Sequence, residues 1–221
     1  MIPAAGAGRR LGAGVPKPFV ELAGRTILAR TLEAIAAAPS VAGLVVAAPP
    51  DRLEEVRRAA PEGAPLLAVV AGGEERFDSV RNGLAAVPEG TAIVAVHDAA
   101  RPFVTVRETE AVIDAARRHG AALSVTAPVE TVKRTAGGRI VETLDRDTIR
   151  LAQTPQAFRA ELLGRAFRRA AEEGEKGTDE ASLVERLGEP VYPVEADRWN
   201  RKITTAEDLR LGEWILRERE R

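Results

Sequence analysis

Short apolar runs alternate with longer amphipathic stretches along most of the chain. The apolar runs are rich in Val, Leu and Ala, and they are nearly continuous rather than alternating with polar positions. Continuous apolar runs of this length are typical of strands that are buried on both faces of a parallel sheet. The pattern predicts strands over Gly43–Ala48, Leu66–Val70, Ala92–Val96, Ala121–Ala127 and Val191–Val194.

Amphipathic stretches with helical spacing lie between and beyond these strands. Several begin at or beside a residue type that commonly caps a helix, namely Thr26, Asp51, Asp78 and Thr178. Helices are predicted over Thr26–Ala38, Asp51–Ala60, Asp78–Val87, Val106–His119, Ala160–Glu173, Asp179–Leu187 and Thr205–Arg219. The alternation predicts an α/β fold with an open, doubly wound, mostly parallel sheet, built as a single domain over residues 1–221.

One segment breaks this alternation after the fourth predicted strand. Glu130–Thr135 and Arg139–Leu144 both have strand-like patterns, and the Ala136-Gly137-Gly138 sequence between them indicates a β-hairpin with a glycine turn. The hairpin would form an arm over about residues 128–147. Because a two-stranded hairpin is only marginally stable alone, we expect it to pack against a second subunit in a homodimer. The alternative is a hairpin that lies flat on its own domain.

Composition narrows the function classes without identifying one. The chain has 221 residues and a net charge of −1, which argues against a general nucleic-acid coat or a basic membrane binder. The absence of cysteine excludes disulfides, thiolate metal sites and thiol catalysis. No apolar run reaches membrane-spanning length and the first residues lack the pattern of a signal peptide, so a cytoplasmic location is expected.

Lysine is scarce in this chain. Of 32 basic residues, four are lysine: Lys17, Lys133, Lys176 and Lys202. A drift toward arginine would have replaced lysines whose role arginine can fill, so a remaining lysine is a better candidate for a role that needs a compact point charge. Chance retention is the alternative for any one of the four.

A glycine-rich loop near the start of the chain carries the first chemical signal. It runs from Pro3 to Gly12 as PAAGAGRRLG and is followed by Pro16-Lys17-Pro18. Small residues let backbone N–H groups approach a phosphate closely, and Arg10 and Lys17 add positive charge. The glycine spacing matches neither the dinucleotide-binding fingerprint nor the phosphate-loop signature, which disfavours both functions. The alternative is a tight connection without a ligand.

The loop resembles the nucleotide-binding signature of sugar-phosphate nucleotidyltransferases, and other segments narrow the resemblance. Gly72–Val80, GGEERFDSV, is similar to the base-and-ribose segment of the 2-C-methyl-D-erythritol 4-phosphate cytidylyltransferases. Further similarity to this family is found in His97–Pro102, Gln153–Gln156, Thr178–Ser182 and Arg201–Thr204. The matches extend from position 3 to beyond position 200, so the resemblance covers essentially the whole chain.

Two positions depart from the family pattern. The family usually has several apolar residues before the loop, whereas Met1 and Ile2 alone precede it here. The first strand is therefore expected to be short, or the recorded start to be late. Glu74 follows the paired glycines, where Asp is also common in the family, and the detail of the ribose contact stays open.

The resemblance implies a nucleotidyltransferase fold and the transfer of CMP from CTP to 2-C-methyl-D-erythritol 4-phosphate, with release of pyrophosphate. The reaction serves isoprenoid precursor synthesis by the non-mevalonate route, and it would use Mg²⁺. The catalytic candidates are the loop cations Arg10 and Lys17 together with Arg146 and Lys202. The candidates for binding nucleotide and acceptor are Ala4, Ala5, Gly6, Gly8, Gly73, Glu74, Ser79, Asp98, Ala99, Arg101, Thr131 and Thr154.

The reaction joins two anions, which repel each other until cations neutralise them. Catalysis of this kind consists mostly of positioning and electrostatic stabilisation of the transition state. Lys17 suits a point-charge contact to phosphate oxygens, and Arg10 suits a forked one. No cluster of carboxylates or histidines suggests a metal cage in the protein, so the nucleotide is expected to supply most of the Mg²⁺ ligands.

Asp98 follows an apolar run and would lie at the carboxyl end of a parallel strand, where open α/β sheets bind ligands. The resemblance implies that it contacts the acceptor or the metal; the alternative is a helix cap or a salt bridge with Arg101. We expect His97 to be structural, because the attacking phosphate is already ionised and needs no base. Gly73 and Ser79 are expected near the nucleotide, at the start of a helix.

The acceptor phosphate needs cations of its own. Lys202 and Arg146 fit this role, and the resemblance implies that both orient the acceptor. If the hairpin crosses to a partner subunit, Arg146 and Thr131 would serve the neighbour's site. The alternative for Arg146 is a solvated surface arginine.

Other functions remain open on the same scaffold. One is a ribitol-phosphate cytidylyltransferase or another sugar-phosphate nucleotidyltransferase, which the nucleotide loop alone does not separate from the main interpretation. Another is a nucleotide-binding regulatory protein without catalysis. Such a protein would have no need for Lys17 and Lys202, and their presence in a lysine-poor chain weighs against it.

Overall fold

The structure, a computed structural model, describes residues 1–6 and 16–219 of the chain. The strands in these residues are β1 (Ile2–Pro3), β2 (Glu21–Leu22), β3 (Arg25–Thr26), β4 (Leu44–Ala48), β5 (Leu66–Ala71), β6 (Ile93–Val96), β7 (Ala121–Thr126), β8 (Lys133–Ala136), β9 (Arg139–Thr143), β10 (Leu151–Arg159) and β11 (Tyr192–Glu195). The helices are α1 (Ile27–Ala36), α2 (Leu53–Ala59), α3 (Arg76–Leu84), α4 (Val106–His119), α5 (Ala160–Glu173), α6 (Glu180–Arg186) and α7 (Ala206–Arg219).

The central sheet has the strand order β5-β4-β1-β6-β10-β7-β11. The Met1 nitrogen donates to the Ala95 carbonyl (2.8 Å) and the His97 amide donates to the Met1 carbonyl (3.0 Å). This is the bonding pattern of parallel strands, and it joins a three-stranded and a four-stranded set at β1 and β6. Strand β10 is antiparallel to both of its neighbours, and the other pairs with a defined register are parallel. The prediction of a mostly parallel sheet is confirmed.

Helices cover both faces of this sheet, as the doubly wound prediction requires. Val45 and Ala47 of β4 pack into the core under α3, α5 and α6, whereas Val46 and Ala48 pack into the core under α1 and α2. Helix α4 covers the same face as α1 further along the sheet, against β7 and β10. Burial on both faces explains why β4 is apolar at every position.

The predicted helix starts were partly wrong in detail. Thr26 caps α1 as predicted, since its hydroxyl accepts a hydrogen bond from the Ala29 amide (3.1 Å). Asp51 caps nothing, because a 3-10 turn over Pro50–Arg52 precedes α2. Asp78 lies inside the first turn of α3, and α6 is capped by Asp179 rather than by Thr178.

Strand β10 has no counterpart among the predicted strands. Its middle carries Gln153, Thr154, Pro155 and Gln156, and such a polar run with a proline argues against a central strand. The strand is nevertheless central, and its register with β7 shifts between Ala152 and Gln156. The irregularity absorbs the proline and turns buried polar side chains toward the carboxyl end of β6.

The hairpin is observed where the glycine turn predicted it. Gly137 and Gly138 have φ angles of 54° and 75°, a left-handed pair that glycine adopts without steric cost and that suits a two-residue hairpin turn. Strands β8 and β9 pair with each other, and each of their residues is exposed. Within one chain the hairpin therefore projects as an arm instead of lying flat on its own domain.

No helix in the described part of the chain combines the length and the apolar character needed to cross a lipid bilayer.

Candidate active site

A cavity of about 300 Å³ opens where the strand order reverses. The chain first builds β4 and β5 on one side of β1 and then returns to place β6 on the other side. Open α/β sheets bind ligands at such a switch point, beyond the carboxyl ends of the strands. The predicted site residues that line this cavity are Ala5, Gly6, Lys17, Gly73, Glu74, Ser79, Asp98, Ala99 and Lys202.

A second cavity, of about 320 Å³, lies near the amino ends of β4 and β6. Its walls are mainly aliphatic, with residues such as Ile35, Val41 and Leu67, and Arg117 is the one charged side chain in its lining among the described residues. A reaction between two phosphates needs several fixed cations, which this cavity lacks. The switch-point cavity has the cations Lys17, Arg76 and Lys202 in its lining, and it lies beyond the carboxyl ends of the strands, so it is the candidate active site.

The cavity wall at Gly73 and Ser79, which were predicted to lie near a nucleotide, is built by a tight contact between two loops. A side chain at Gly72 would collide with Ala5, and one at Gly73 would collide with Asp78, so both positions require glycine. The Ser79 hydroxyl accepts a hydrogen bond from the Gly73 amide (3.1 Å) and donates one to the Glu75 carbonyl (3.0 Å). Ser79 is buried, and its two hydrogen bonds hold the backbone of Gly73 and Glu75 in place.

Lys17 lies at the edge of the cavity, at the start of a 3-10 turn over Lys17–Phe19. Pro18 and Phe19 of this turn are buried in the domain, which anchors the backbone that carries the lysine. Gly8 and Arg10, the other predicted residues of the glycine-rich loop, lie outside the described residues.

Asp98 is the centre of the charge network in this cavity. Its Oδ1 accepts from Arg76 Nε (3.1 Å) and its Oδ2 accepts from Lys202 Nζ (2.8 Å), while Arg101 Nε lies 3.5 Å from Oδ2. Burial by itself would raise the pKa of Asp98, but the charges of Arg76, Lys202 and Arg101 outweigh it and hold the pKa far below its usual range. Asp98 is therefore ionised at neutral pH and fixes Lys202 at the cavity.

His97 has a structural role in these contacts. Its Nε2–H donates to the Arg101 carbonyl (3.0 Å), because that oxygen is an acceptor alone, and its Nδ1 accepts from the Thr154 hydroxyl (3.1 Å). The same hydroxyl accepts from the Asp98 amide (3.0 Å). Both ring nitrogens are thus occupied, and they hold the backbone of the Asp98 segment in place.

The histidine makes stability depend on pH in a defined direction. Burial lowers the pKa of His97 from 6.5 to about 4. Between these values the unfolded chain takes up a proton that the folded chain does not, so the free energy of unfolding falls as the pH falls. We expect His97 to lower the free energy of unfolding by about 3 kcal/mol between pH 7 and pH 4, as measured by urea unfolding.

The His97→Asn variant should lack this pH-dependent contribution to the free energy of unfolding, whereas His119→Asn, at an exposed position, should keep it. Equal pH dependence of wild type and His97→Asn would contradict the assignment.

Three predicted site residues lie beneath the cavity rather than in its lining. Ala4 is buried, and its amide donates to the Ala47 carbonyl (2.6 Å), which continues the pairing of β1 with β4. Arg101 is buried and donates from Nη1 to the Asn200 carbonyl (2.8 Å). Thr154 is buried in the contacts of His97. Their contacts hold in place the segments that carry the cavity-lining residues.

The two predicted residues of the arm are not brought to this cavity within one chain. Thr131 and Arg146 are both exposed, and Arg146 Nη1 donates to the Val129 carbonyl (2.9 Å) at the base of the arm. Neither residue lines the cavity of its own chain.

Arg76 and Glu180 belong to the network, although the sequence interpretation gave them no role. Arg76 Nη1 and Nη2 donate to the two carboxylate oxygens of Glu180 (2.6 and 2.9 Å). Burial raises the pKa of Glu180, and the charge of Arg76 opposes this. Both residues lie in segments that carry the family resemblance, which is the signal that could have drawn attention to them.

The described side chains offer few ligands for a resident metal ion. Among the residues that the structure describes, no group of three or more acidic or histidine side chains is placed to hold an ion. Asp98 was predicted as a metal ligand, but its two oxygens accept from Arg76 and Lys202. A metal cation bound at Asp98 would lie beside the positive charges of Arg76 and Lys202, which repel it.

Comparison with known proteins agrees with this geometry. The family model described as 2-C-methyl-D-erythritol 4-phosphate cytidylyltransferase matches residues 1–218. The relative of that name from Syntrophus aciditrophicus is 42% identical over 224 residues, covering 100% of this chain and 96% of the relative. The one from Salinibacter ruber is 45% identical over 215 residues, covering 96% and 90%.

Solved structures lead to the same family. The 2-C-methyl-D-erythritol 4-phosphate cytidylyltransferase from Thermus thermophilus superposes with a TM-score of 0.81 at 35% identity, covering 98% of this chain and 97% of that one. The 4-diphosphocytidyl-2C-methyl-D-erythritol synthase from Anaerococcus prevotii gives a TM-score of 0.87 at 28% identity, covering 98% and 94%. Because the family model matches residues 1–218 and the relatives match over 90% or more of their length, the chain belongs to the 2-C-methyl-D-erythritol 4-phosphate cytidylyltransferase family.

Proposed function

We infer that the protein transfers CMP from CTP to 2-C-methyl-D-erythritol 4-phosphate and releases pyrophosphate, a step of isoprenoid precursor synthesis by the non-mevalonate route. The observation that carries this inference is the switch-point cavity, whose lining includes Lys17 and the Asp98–Lys202 pair. Cations thus face the space where two phosphate groups would meet. Family membership supplies the identity of the nucleotide and of the acceptor.

In the proposed reaction an oxygen of the acceptor phosphate forms a bond to the α-phosphorus of CTP. The bond from that phosphorus to the oxygen bridging toward the β-phosphate breaks, and pyrophosphate leaves with the electron pair. No proton has to move, because the attacking phosphate is already ionised. This agrees with His97, whose ring nitrogens are both used in structural contacts.

The cavity offers fixed cations to a pair of anionic substrates. Arg76, Arg101 and Lys202 are held around the carboxylates of Asp98 and Glu180, and Lys17 is a further cation in a lining that also includes Glu74 and Glu75. Cations held by buried carboxylates do not have to reorganise when charge develops on the phosphates. We assign Lys17 to the α-phosphate and the departing pyrophosphate, and Lys202 to the acceptor phosphate.

We propose that Mg²⁺ enters with the triphosphate, as part of the nucleotide substrate. The pairing of both Asp98 oxygens with cations supports this assignment over a metal held by the protein alone. Removal of Mg²⁺ with EDTA should abolish turnover in a pyrophosphate-release assay, and excess Mg²⁺ should restore it. Full turnover in excess EDTA would contradict the proposal.

We expect CTP to be the preferred nucleotide. The expectation rests on the resemblance of Gly72–Val80 to the base-and-ribose segment of the family. A direct competition of CTP with UTP, ATP and GTP, followed by mass spectrometry of the products, tests it. Equal use of a purine triphosphate would refute it.

The identity of the product tests the reaction itself. In ³¹P NMR of the enzyme with CTP and the acceptor, we expect two coupled resonances of a new diphosphate diester and one equivalent of pyrophosphate. Parallel samples with ribitol 5-phosphate test the alternative cytidylyltransferase. Preference for ribitol phosphate would replace the proposed acceptor.

We also propose that the arm forms a homodimer and that the enzyme works in the cytoplasm, where CTP is made. The arm exposes the apolar side chains of Val129, Ile140 and Val141, which are 80%, 67% and 56% exposed within one chain. A two-fold contact would cover this apolar surface on both chains at once. Arg146 and Thr131, which do not line the cavity of their own chain, would then be supplied to the neighbour's site.

A further inference from the structure

Glu180 is a buried carboxylate that the proposed reaction does not use directly. Its side chain is 2% exposed, and it is absent from the cavity lining. A buried glutamate is costly unless a cation pairs with it, so its presence requires an explanation. Its partner, Arg76, lines the cavity.

The backbone of Glu180 is fixed on both sides. Gln156 of β10 donates from Nε2 to Asp179 Oδ2 (2.8 Å), and its Oε1 accepts from the Ala181 amide (3.0 Å). Asp179 also closes a capping box with Ser182 at the start of α6. The carboxylate of Glu180 therefore projects from a rigid helix start that is attached to the central sheet.

Arg76 connects this fixed carboxylate to Asp98. The two Nη atoms donate to Glu180 and Nε donates to Asp98 Oδ1, so each guanidinium nitrogen bonds a carboxylate. A planar guanidinium group that is hydrogen-bonded at all three nitrogens has little rotational freedom. Arg76 thus bonds Oδ1 of Asp98, and Lys202 bonds the other oxygen, Oδ2.

We propose that Glu180 is a positioning residue for the acceptor phosphate. It acts through Arg76 and Asp98, which together fix the position of Lys202 Nζ. The proposal rests on the proposed function, in which Lys202 binds that phosphate. Without the Glu180 charge, the guanidinium group of Arg76 is no longer held in place. Its free nitrogens then compete with Lys202 for the Asp98 carboxylate. Lys202 moves away from the place where it meets the acceptor, whereas Gly73 and Lys17, which we assign to the nucleotide, keep their own anchors.

The test compares Glu180→Gln with Glu185→Gln, which changes an exposed glutamate on the same helix. Glu180→Gln should raise the KM for the acceptor on the order of tenfold, a loss that a small displacement of a binding group can cause. The Kd for CTP, measured by calorimetry without acceptor, should stay within about twofold, as should all parameters of Glu185→Gln. Arg76→Lys keeps the charge but loses the fork, and it should reproduce the selective rise in the acceptor KM.

A purely structural salt bridge would give a different result. An unchanged acceptor KM in Glu180→Gln, or equal losses for CTP binding and for the acceptor, would overturn the proposal. If Glu180→Gln does not fold, the same comparison is made with Arg76→Lys, with thermal unfolding as the criterion of folding. Failure of the proposed function is distinguishable, because wild-type enzyme would then show no acceptor-dependent turnover at all.

Discussion

Replacement of Lys17 by alanine is expected to lower turnover about a hundredfold to a thousandfold while the protein remains folded. Lys17 stands at the edge of the switch-point cavity, on a turn whose other residues are buried in the domain. Its charge is therefore held in place before negative charge develops on the α-phosphate and on pyrophosphate. Loss of one preorganised contact of this kind costs roughly 3–4 kcal/mol of transition-state stabilisation.

The measurement is kcat of purified Lys17→Ala with saturating substrates, with thermal unfolding as the check on folding. Lys17→Arg should recover part of the activity, because the arginine keeps the charge but not the compact ammonium. Arg118→Ala, which removes an exposed cation from α4, should leave kcat unchanged. Arg10→Ala should lose as much as Lys17→Ala, a prediction that rests on the sequence pattern alone. Wild-type turnover in Lys17→Ala would remove the lysine from the mechanism.

The second large effect concerns the arm. Deletion of Val132–Ile140, which removes β8 and the glycine turn, should give a monomer that binds CTP but does not transfer CMP to the acceptor. Arg146 and Thr131 are exposed and do not line the cavity of their own chain, and in the proposed homodimer the second chain supplies them. Sedimentation of the deletion variant reports the oligomeric state, and calorimetry reports CTP binding.

Mixing of two inactive variants tests whether sites are shared. In a mixed dimer of Arg146→Ala and Lys17→Ala, one site carries both lesions and the other carries none. Random exchange should therefore restore about a quarter of wild-type activity. Lys17→Ala mixed with Lys202→Ala is the matched control, because both lysines line the cavity of one chain and no intact site can form. No recovery in the first mixture, despite proven exchange of subunits, would mean that each chain builds its own site.

The elements with the strongest local patterns were predictable from the sequence. Helices α4 and α5 have the predicted bounds, since long amphipathic patterns end at Gly120 and Gly174, which stand at the carboxyl-terminal caps with positive φ. Strand β10 was not predictable, because its polar and proline-containing middle is compensated by contacts from distant residues, such as that of Thr154 with His97.

The same distinction holds for the site. Asp98 follows an apolar run, so its position at a strand end could be predicted from one sequence. The Arg76–Glu180 pair joins residues that are 104 positions apart, and no local pattern in a single sequence reports such a contact. Its existence depends on how β10 places α6 against α3, which only the folded chain shows.

Pyrophosphate release tests the central claim most directly. Wild-type enzyme with CTP and Mg²⁺ is given 2-C-methyl-D-erythritol 4-phosphate, ribitol 5-phosphate or no acceptor, and pyrophosphate is measured continuously. We expect release that depends on an acceptor and is fastest with methylerythritol phosphate, and we expect little release in Lys17→Ala. Release that is independent of any acceptor, or the absence of release with every acceptor from a folded protein that binds CTP, would contradict the proposed reaction.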